Sequence, residues 1–331
     1  MTLHEATSEH EHQHPPTVVN WIQGMDIQDL AFLVASTVCC FIVILIGIIE
    51  YTYVRRHVTY ESIRHYLTWV VFMLPATTFV SVLGMYYPRS AMFLEILSAS
   101  YLMITLGMLI KLTEHLFGSR KAIVSYMNTH GIKINLNALF LCTKKLCCLP
   151  ELRPTAFRIH CLEWLVYQTA FVRIITMTTV MMGFFENFHA ESMVTTVSEA
   201  IMAVSLFFCI YGTEVMKDNT EEAMKPFNFG HIHNIFNASH IIMVVGKGVF
   251  LTLIKNGYIE VGTILQHEAR ALYLTFFVYS VSAVFLSIYS LIVFNPKRNA
   301  LFDRYGIARP IFHRTEEVPL VELLAKSPRT P

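Results

Sequence analysis

Seven long apolar stretches, separated by polar connections, run through this chain of 331 residues. They lie near Ala31–Ile49, Leu67–Tyr86, Ala91–Thr113, Cys161–Phe184, Met193–Val215, Ile232–Ile254 and Ala271–Phe294. About 20 apolar residues in a helix suffice to cross roughly 30 Å of hydrocarbon. There, every backbone N–H and C=O must be paired inside the protein, and a helix does this within one segment. The pattern predicts an all-α, polytopic membrane protein with seven transmembrane helices over 30–294. An N-terminal tail, 1–29, expected to be extracellular and disordered, precedes them, and a basic cytoplasmic tail, 295–331, follows.

Orientation is read from the basic residues. The first, third and fifth connections and the C-terminal tail carry 19 of the 25 Lys and Arg. The N-terminal tail and the second, fourth and sixth connections carry 3, and Lys111, Arg173 and Lys247 fall within spans. Positive residues favour the cytoplasmic side, so the N-terminus is expected outside and the C-terminus inside. No secretory signal pattern is seen, and the first span is expected to act as its own anchor. The spans leave no room for a separate soluble domain.

Cysteines follow the same asymmetry. Cys39, Cys40 and Cys209 are in spans, Cys161 is at an inner boundary, and Cys142, Cys147 and Cys148 are in the long inner loop, 114–160. No extracellular disulfide is expected, and the one sequon, at Asn237, is inside a span. The inner loop scatters Ile123, Val124, Ile132, Ile134, Leu136, Leu139, Phe140 and Leu141 ahead of Lys144 and Lys145. Such a segment is expected to lie on anionic membrane lipid. Cys142, Cys147 and Cys148, beside those lysines, are candidate S-palmitoylation sites. His4, His10, His12 and His14 mark a polar tail that is read as solvated, with no metal assigned. Trp21, Tyr51, Tyr86, Tyr87, Trp164 and Tyr258 are expected at headgroup level. Pro75 removes the N–H that would bond to Val71, a candidate hinge.

Ionisable groups buried in a span are functional candidates by default. Lys111, Glu163 and Glu214 lie near inner ends, where they are expected to reach water, and Glu95 lies close to an outer end. Arg173, Lys247 and Glu199 stand about 11, 7 and 6 residues from the outer ends of their spans. At 1.5 Å per residue the depths are about 16, 10 and 9 Å. Glu199 and Lys247 match in depth and are the expected pair, with Arg173 deeper and without an obvious acidic partner. A fixed guanidinium fork suits a carboxylate or sulfate. Gly246 and Gly248 either widen a pocket around Lys247 or permit close helix packing. Two readings stay open. Arg173, Lys247 and Glu199 contact an anionic substrate, or they form an ion-pair network that fixes helix packing.

The stretches YYPRSAMFLE (Tyr86–Glu95), EHLFGSRKAI (Glu114–Ile123), CCLP (Cys147–Pro150) and YQTAFVRI (Tyr167–Ile174) occur in an order and spacing that resembles the organic solute transporter alpha subunit family. That resemblance implies a seven-helix solute carrier subunit working with a small single-span beta subunit. It implies facilitated diffusion of amphipathic organic anions of the bile acid or conjugated steroid type. It places Arg173 where relatives carry a basic residue. The inner loop has fewer cysteines than the family's run.

Seven spans also suit a heptahelical receptor. Here, however, the third span ends KLTEHLF, and Asn295-Pro296 is followed by Asn299 where receptors carry tyrosine. An intramembrane metallohydrolase would need a second His-bearing helix beside His231, His233 and His240. A retinal-type pigment built on Lys247 finds no other support. A membrane organiser acting on trafficking through a lipidated inner loop is the remaining alternative. The expectation is therefore a transporter at the cell membrane and not an enzyme, with no cofactor and no nucleic-acid partner.

Overall fold

The computed structural model describes residues 17–136, 151–185, 191–259 and 265–302, excluding the side chains at 183–185, 191, 192, 195, 196 and 199. The helices are α1 (Val18–Gln23), α2 (Ile27–His57), α3 (Glu61–Val71), α4 (Met73–Tyr86), α5 (Ala91–Phe117), α6 (Arg120–Thr129), α7 (Ala156–Phe185), α8 (Glu191–Met224), α9 (Phe229–Lys255) and α10 (His267–Val293). Among the described residues there is no strand, only one β-bridge between Ile134 and Leu152. Among the described residues, seven helical segments are long and apolar enough to cross a membrane: α2, α3 with α4, α5, α7, α8, α9 and α10. Each contains or closely overlaps one of the stretches read from the sequence. The second is broken at Phe72, three residues before Pro75, as expected where a proline withdraws a backbone donor.

The described residues pack as two compact units. The first comprises the stretch ending at Ile49, Phe72–Leu102 and Ile235–Ile292. The side chain of its N-cap Thr17 accepts from the Asn20 N–H, which fixes the start of α1. Trp21 is buried; its indole N–H donates to the Met85 carbonyl at 3.1 Å and its ring stands edge-on to Tyr273. This corrects two expectations. The stretch 1–29 is not wholly a disordered tail, because residues 18–23 are helical. Trp21 is a core residue and not a headgroup anchor, because its one polar atom is satisfied by the carbonyl end of α4.

Further along the same unit, Phe32 stacks on Phe277 at 4.3 Å, and Gly84 leaves room for the Phe276 ring. The buried Tyr279 hydroxyl bonds Thr77 at 2.6 Å and Ser239 at 2.8 Å, tying α10 to α4 and α9. Interhelical hydroxyl contacts of this kind act where apolar burial against lipid gives no drive to associate.

The second unit comprises Glu50–Val71, Met103–Asn234 and the stretch from Val293. Within it α7 and α8 run antiparallel: Thr169 meets Ser205, while Gly212 packs on Leu162 and Val166. Gly118, at φ +91, turns the chain from α5 into α6, a backbone state that glycine adopts without cost from a Cβ. Ser119 then caps α6, accepting from the Ala122 N–H at 3.2 Å.

Ile123, Met127 and Ile134 are buried within the protein. For Ile123 and Ile134 that corrects the expectation that the apolar residues of the inner loop lie in the lipid boundary: α6 turns Ile123 inward instead. Leu301 and Phe302 are also buried, and the Ala300 N–H donates to the Pro226 carbonyl at 3.0 Å. The first residues of the C-terminal segment thus belong to the folded unit.

Candidate functional site

The spanning part of α7 carries a charge where its own pattern calls for an apolar residue. Its buried stripe is Ile159, Leu162, Val166, Thr169, Arg173, Thr176 and Val180, alternating steps of three and four residues as on one helix face. Three successive positions in that stripe are polar. The Thr169 hydroxyl donates to the Ser205 carbonyl at 3.2 Å and lies 3.3 Å from the Ser205 hydroxyl. Thr176 donates to the Val172 carbonyl at 2.7 Å. Between them Arg173 is 7 % exposed.

The facing stripe of α8 contains Ser198, Ser205, Cys209 and Gly212. A Cβ at Gly212 would stand 3.1 Å from the Leu162 carbonyl, so the glycine lets the two backbones approach closely. A buried guanidinium requires partners, and Arg173 does have interactions within the fold. The hydroxyl-lined seam is a polar strip on an otherwise apolar pair of helices.

Lys247, on α9, lies in the first unit. Its ammonium is 2.9 Å from a carboxylate oxygen of Glu95, on α5. Glu95 is thus a partner that matching of depths did not select. The expected partner, Glu199, has its backbone in α8, and its side chain lies outside the described residues. The glycines that flank Lys247 have different surroundings. A Cβ at Gly246 would meet the Thr275 methyl of α10 at 3.4 Å, whereas one at Gly248 would meet nothing within 4 Å. In the same unit Arg270 reaches Asp29 at 2.6 Å, and the Tyr273 hydroxyl donates to the Asp29 carbonyl at 2.6 Å.

The groups expected to reach water at inner helix ends are instead paired and, for the two acids, buried. Glu163 is 0 % exposed and receives two hydrogen bonds from Arg120 Nε, at 2.8 and 3.0 Å, with Arg120 Nη2 at 2.7 Å. Lys111 donates to Glu114 at 2.7 Å, and Glu114 lies 3.7 Å from Arg120. His160 stands 3.7 Å from Glu163, and the Lys111 ammonium lies 5.8 Å from the centre of the Tyr167 ring. The Glu163 hydrogen bond raises the Arg120 pKa above its ordinary value. A second cluster joins Glu214 to Lys217 and, at 3.1 Å, to the buried His233.

Sequence reasoning missed these clusters. The signals available were the i,i+3 spacings of Lys111 with Glu114 and of Glu214 with Lys217, which put opposite charges on one helix face. Among the described residues no group of three or more His, Cys, Asp or Glu could hold a metal. Cys142, Cys147 and Cys148 lie outside the described residues.

The sequence motifs coincide with these contacts. YYPRSAMFLE ends on Glu95, EHLFGSRKAI supplies Glu114 and Arg120, and YQTAFVRI supplies Tyr167, Thr169 and Arg173. Residues 32–299 match the family model described as organic solute transporter Ostalpha. Three proteins of Caenorhabditis elegans are similar to this chain along most of its length. Organic solute transporter alpha-like protein 1 is 28 % identical over 291 residues, 88 % of this chain and 75 % of that protein. Alpha-like protein 3 is 23 % identical, covering 89 % and 84 %. Alpha-like protein 2 is 22 % identical, covering 90 % and 87 %. No solved structure matches the chain. Seven membrane-length helices and a family match over most of the chain lead to one assignment: this protein belongs to the organic solute transporter Ostalpha family, a family of multi-pass solute transporters.

Proposed function

We propose that this chain is the larger subunit of a carrier that moves amphipathic organic anions, of the bile acid or conjugated steroid type, down their gradient. The observation that carries the reading is Arg173, a permanently charged guanidinium held at mid-span in a seam of hydroxyls. Such a group provides a fixed positive field at depth and a planar fork for a sulfate or carboxylate. Thr169 and Ser205 add short hydroxyl arms that can re-pair with a polar cargo. In this reading Lys247 adds to the attractive field and Glu199 moderates it. No chemical step is required of the chain.

The assembly is part of the proposal. The N-terminus is outside and the C-terminus cytoplasmic, the arrangement favoured by 19 basic residues against 3. The protein acts at the cell membrane together with a single-span beta-type subunit. Cys142, Cys147 and Cys148 carry acyl chains that hold the inner loop on membrane lipid.

The test is uptake of a labelled sulfated steroid in cells expressing the chain with and without a candidate beta subunit. Arg173→Ala, at unchanged surface level, is expected to lower uptake about tenfold or more, since hydrogen bonds to a charged group contribute about 1.5–3 kcal/mol. Uptake unaffected by Arg173→Ala would remove the basis of this reading. Wild-type silence across sulfated and carboxylated amphiphiles, accompanied by altered vesicle traffic, would favour a membrane organiser instead.

A further inference from the structure

Near the start of α7, a histidine stands between an indole and a buried carboxylate. The indole N–H of Trp164 donates to His160 Nε2 at 3.1 Å. An indole N–H only donates, so Nε2 holds a lone pair and the imidazole is neutral, with its proton on Nδ1. That Nδ1 is buried and has no hydrogen-bond partner among the described residues. It lies 3.7 Å from Glu163 Oε2, too far for a hydrogen bond. The His160 ring as a whole is open to water, its side chain 43 % exposed, and Trp164 is 53 % exposed. A proton can therefore reach this imidazole without unfolding anything, while the charge it brings faces a carboxylate that is fully buried.

The carboxylate oxygen that His160 faces is the one that holds α6. Glu163 Oε2 accepts from Arg120 Nε at 2.8 Å and lies 2.7 Å from Arg120 Nη2. Arg120 also stands 3.7 Å from Glu114 on α5, which is paired with Lys111. One guanidinium on α6 thus has two carboxylates in reach, one on each neighbouring helix, and it is bonded to the one on α7. α6 follows α5 directly through the Gly118 turn at φ +91. The other polar groups at this end are engaged elsewhere or carry no charge. His115 meets the Tyr66 hydroxyl at 3.1 Å, and the Tyr167 hydroxyl is buried and makes no hydrogen bond among the described residues. On α8, Glu214 joins Lys217 and His233.

We propose that His160 is a proton-operated switch on the hold of α6 against α7. A proton gained at Nε2 occupies the lone pair that Trp164 uses, so the indole bond is lost. The imidazolium keeps its N–H at Nδ1 and is drawn to Glu163 Oε2, while it repels the Arg120 guanidinium beside it. Arg120 then shifts to Glu114, and α6 loses its polar tie to α7. Ile123 and Met127 stay buried, so α6 loosens and does not detach. When the proton leaves, Trp164 takes up the lone pair again and Arg120 returns to Glu163. Imidazole is the side-chain group that ordinarily changes charge between about pH 5 and 8. The bistable element is Arg120, with one carboxylate partner in each state. The switch operates whatever the carrier moves and needs no partner subunit.

The experiment takes the full chain, purified in lipid nanodiscs, from about pH 8 to about pH 5.5. Two signals are followed: the emission of Trp164, as wild type minus Trp164→Phe, and amide hydrogen exchange in α6. Wild type, His160→Gln and His160→Lys are compared at each pH, so that the intrinsic pH dependence of exchange cancels. A glutamine amide accepts from Trp164 and donates toward Glu163 without titrating, whereas a lysine carries the charge throughout. In wild type, Trp164 emission is expected to change in one step on acidification. α6 amides should then exchange about tenfold faster than in His160→Gln at the same pH. His160→Gln should show no step and stay slow. His160→Lys should exchange fast already at about pH 8, with no further step.

Equal α6 exchange in wild type and His160→Gln at every pH would overturn the proposal. So would an acid step that survives in His160→Gln, or Trp164 emission that stays flat in wild type. Where the wild type unfolds at the acid end, the comparison of His160→Lys with His160→Gln at about pH 8 decides alone: equal exchange there overturns the switch, and faster exchange in the lysine variant supports it. None of these outcomes bears on anion uptake, so the switch and the carrier reading fail or stand separately.

Discussion

In the first unit, buried charge is matched by pairs brought together from distant parts of the chain: Lys247 with Glu95, and Arg270 with Asp29. In the second, Lys111, Glu114, Arg120 and Glu163 alternate in sign along a connected series. Glu114 touches two cations, Lys111 and Arg120, and Arg120 in turn touches two carboxylates, so the loss of one member disturbs several groups at once. The same interaction type therefore joins two helices at one point in the first unit and links several residues in the second. Arg173 shares its unit with the series but sits among hydroxyls, which can re-pair at low cost.

The largest effect that would sharpen this contrast is expected at Glu163. Replacing it with Ala leaves the Arg120 guanidinium without its best-oriented acceptor. Removing one partner of a buried ion pair costs about 3–5 kcal/mol. The expected outcome is loss of surface protein in cells and a collapsed melting transition in detergent. The double variant Arg120→Met with Glu163→Leu removes both charges and should recover much of that loss. A Glu163→Ala protein that melts like wild type would show that the series does not lock the second unit.

Trp21→Ala comes next, because it deletes a large buried ring together with an indole hydrogen bond. Truncation of a buried aromatic typically costs about 3–5 kcal/mol. The effect here is expected near the low end, since α1 has only 6 residues and can detach without unfolding what lies beneath it. Proteolysis within residues 18–23 should accelerate in the variant, while Glu163→Ala should expose sites in α6. If both variants produce the same cleavage pattern, the two regions do not open independently.

Much of the architecture was legible in the sequence, and the reasons are specific. Hydrocarbon length and the period of apolar residues set the helices, so Ala91–Thr113 is contained in Ala91–Phe117 and Ile232–Ile254 in Phe229–Lys255. Proline chemistry placed the break near Phe72. The partners of the charges were less legible, because pairing depends on which helices become neighbours, whereas depth along a span gives only one coordinate. Lys247 donates to Glu95, which matching of depths did not select, and the side chain of Glu199 lies outside the described residues. Glu163 looked free to reach water, because nothing in its own helix announces that Arg120 folds over it. Trp21 resembled a headgroup residue for the same reason: its acceptor, the Met85 carbonyl, lies 64 residues further on.

A smaller effect is expected at Tyr279. Its hydroxyl joins Thr77 and Ser239, and Tyr279→Phe leaves those two hydroxyls to re-pair with their own helices. Thr77 already donates to the Met73 carbonyl at 2.6 Å. Interhelical hydrogen bonds in membranes contribute about 0.6 kcal/mol on average, so a drop of a few degrees in melting temperature is expected at most. A larger drop would mean that the node, and not the ion pairs, organises the first unit.

The smallest effect calibrates the others. Lys133 and Glu151 pair at 2.9 Å in the second unit, but their side chains are 61 % and 56 % exposed. Water screens such a pair and ordering two long side chains offsets its attraction, so Lys133→Ala should change stability by no more than about 0.5 kcal/mol. Beside it, the Ile134 and Leu152 backbones exchange hydrogen bonds of 2.8 and 3.0 Å, and the buried Ile134 side chain stays in place. These contacts hold the two ends of the segment together whether or not the charges meet. Lys133→Ala and Glu163→Ala thus remove ion pairs of similar length that differ mainly in burial, and measuring both on one melting scale isolates that variable. If the exposed pair proved as costly as the buried one, burial would not be the quantity that sets the cost of breaking an ion pair in this unit.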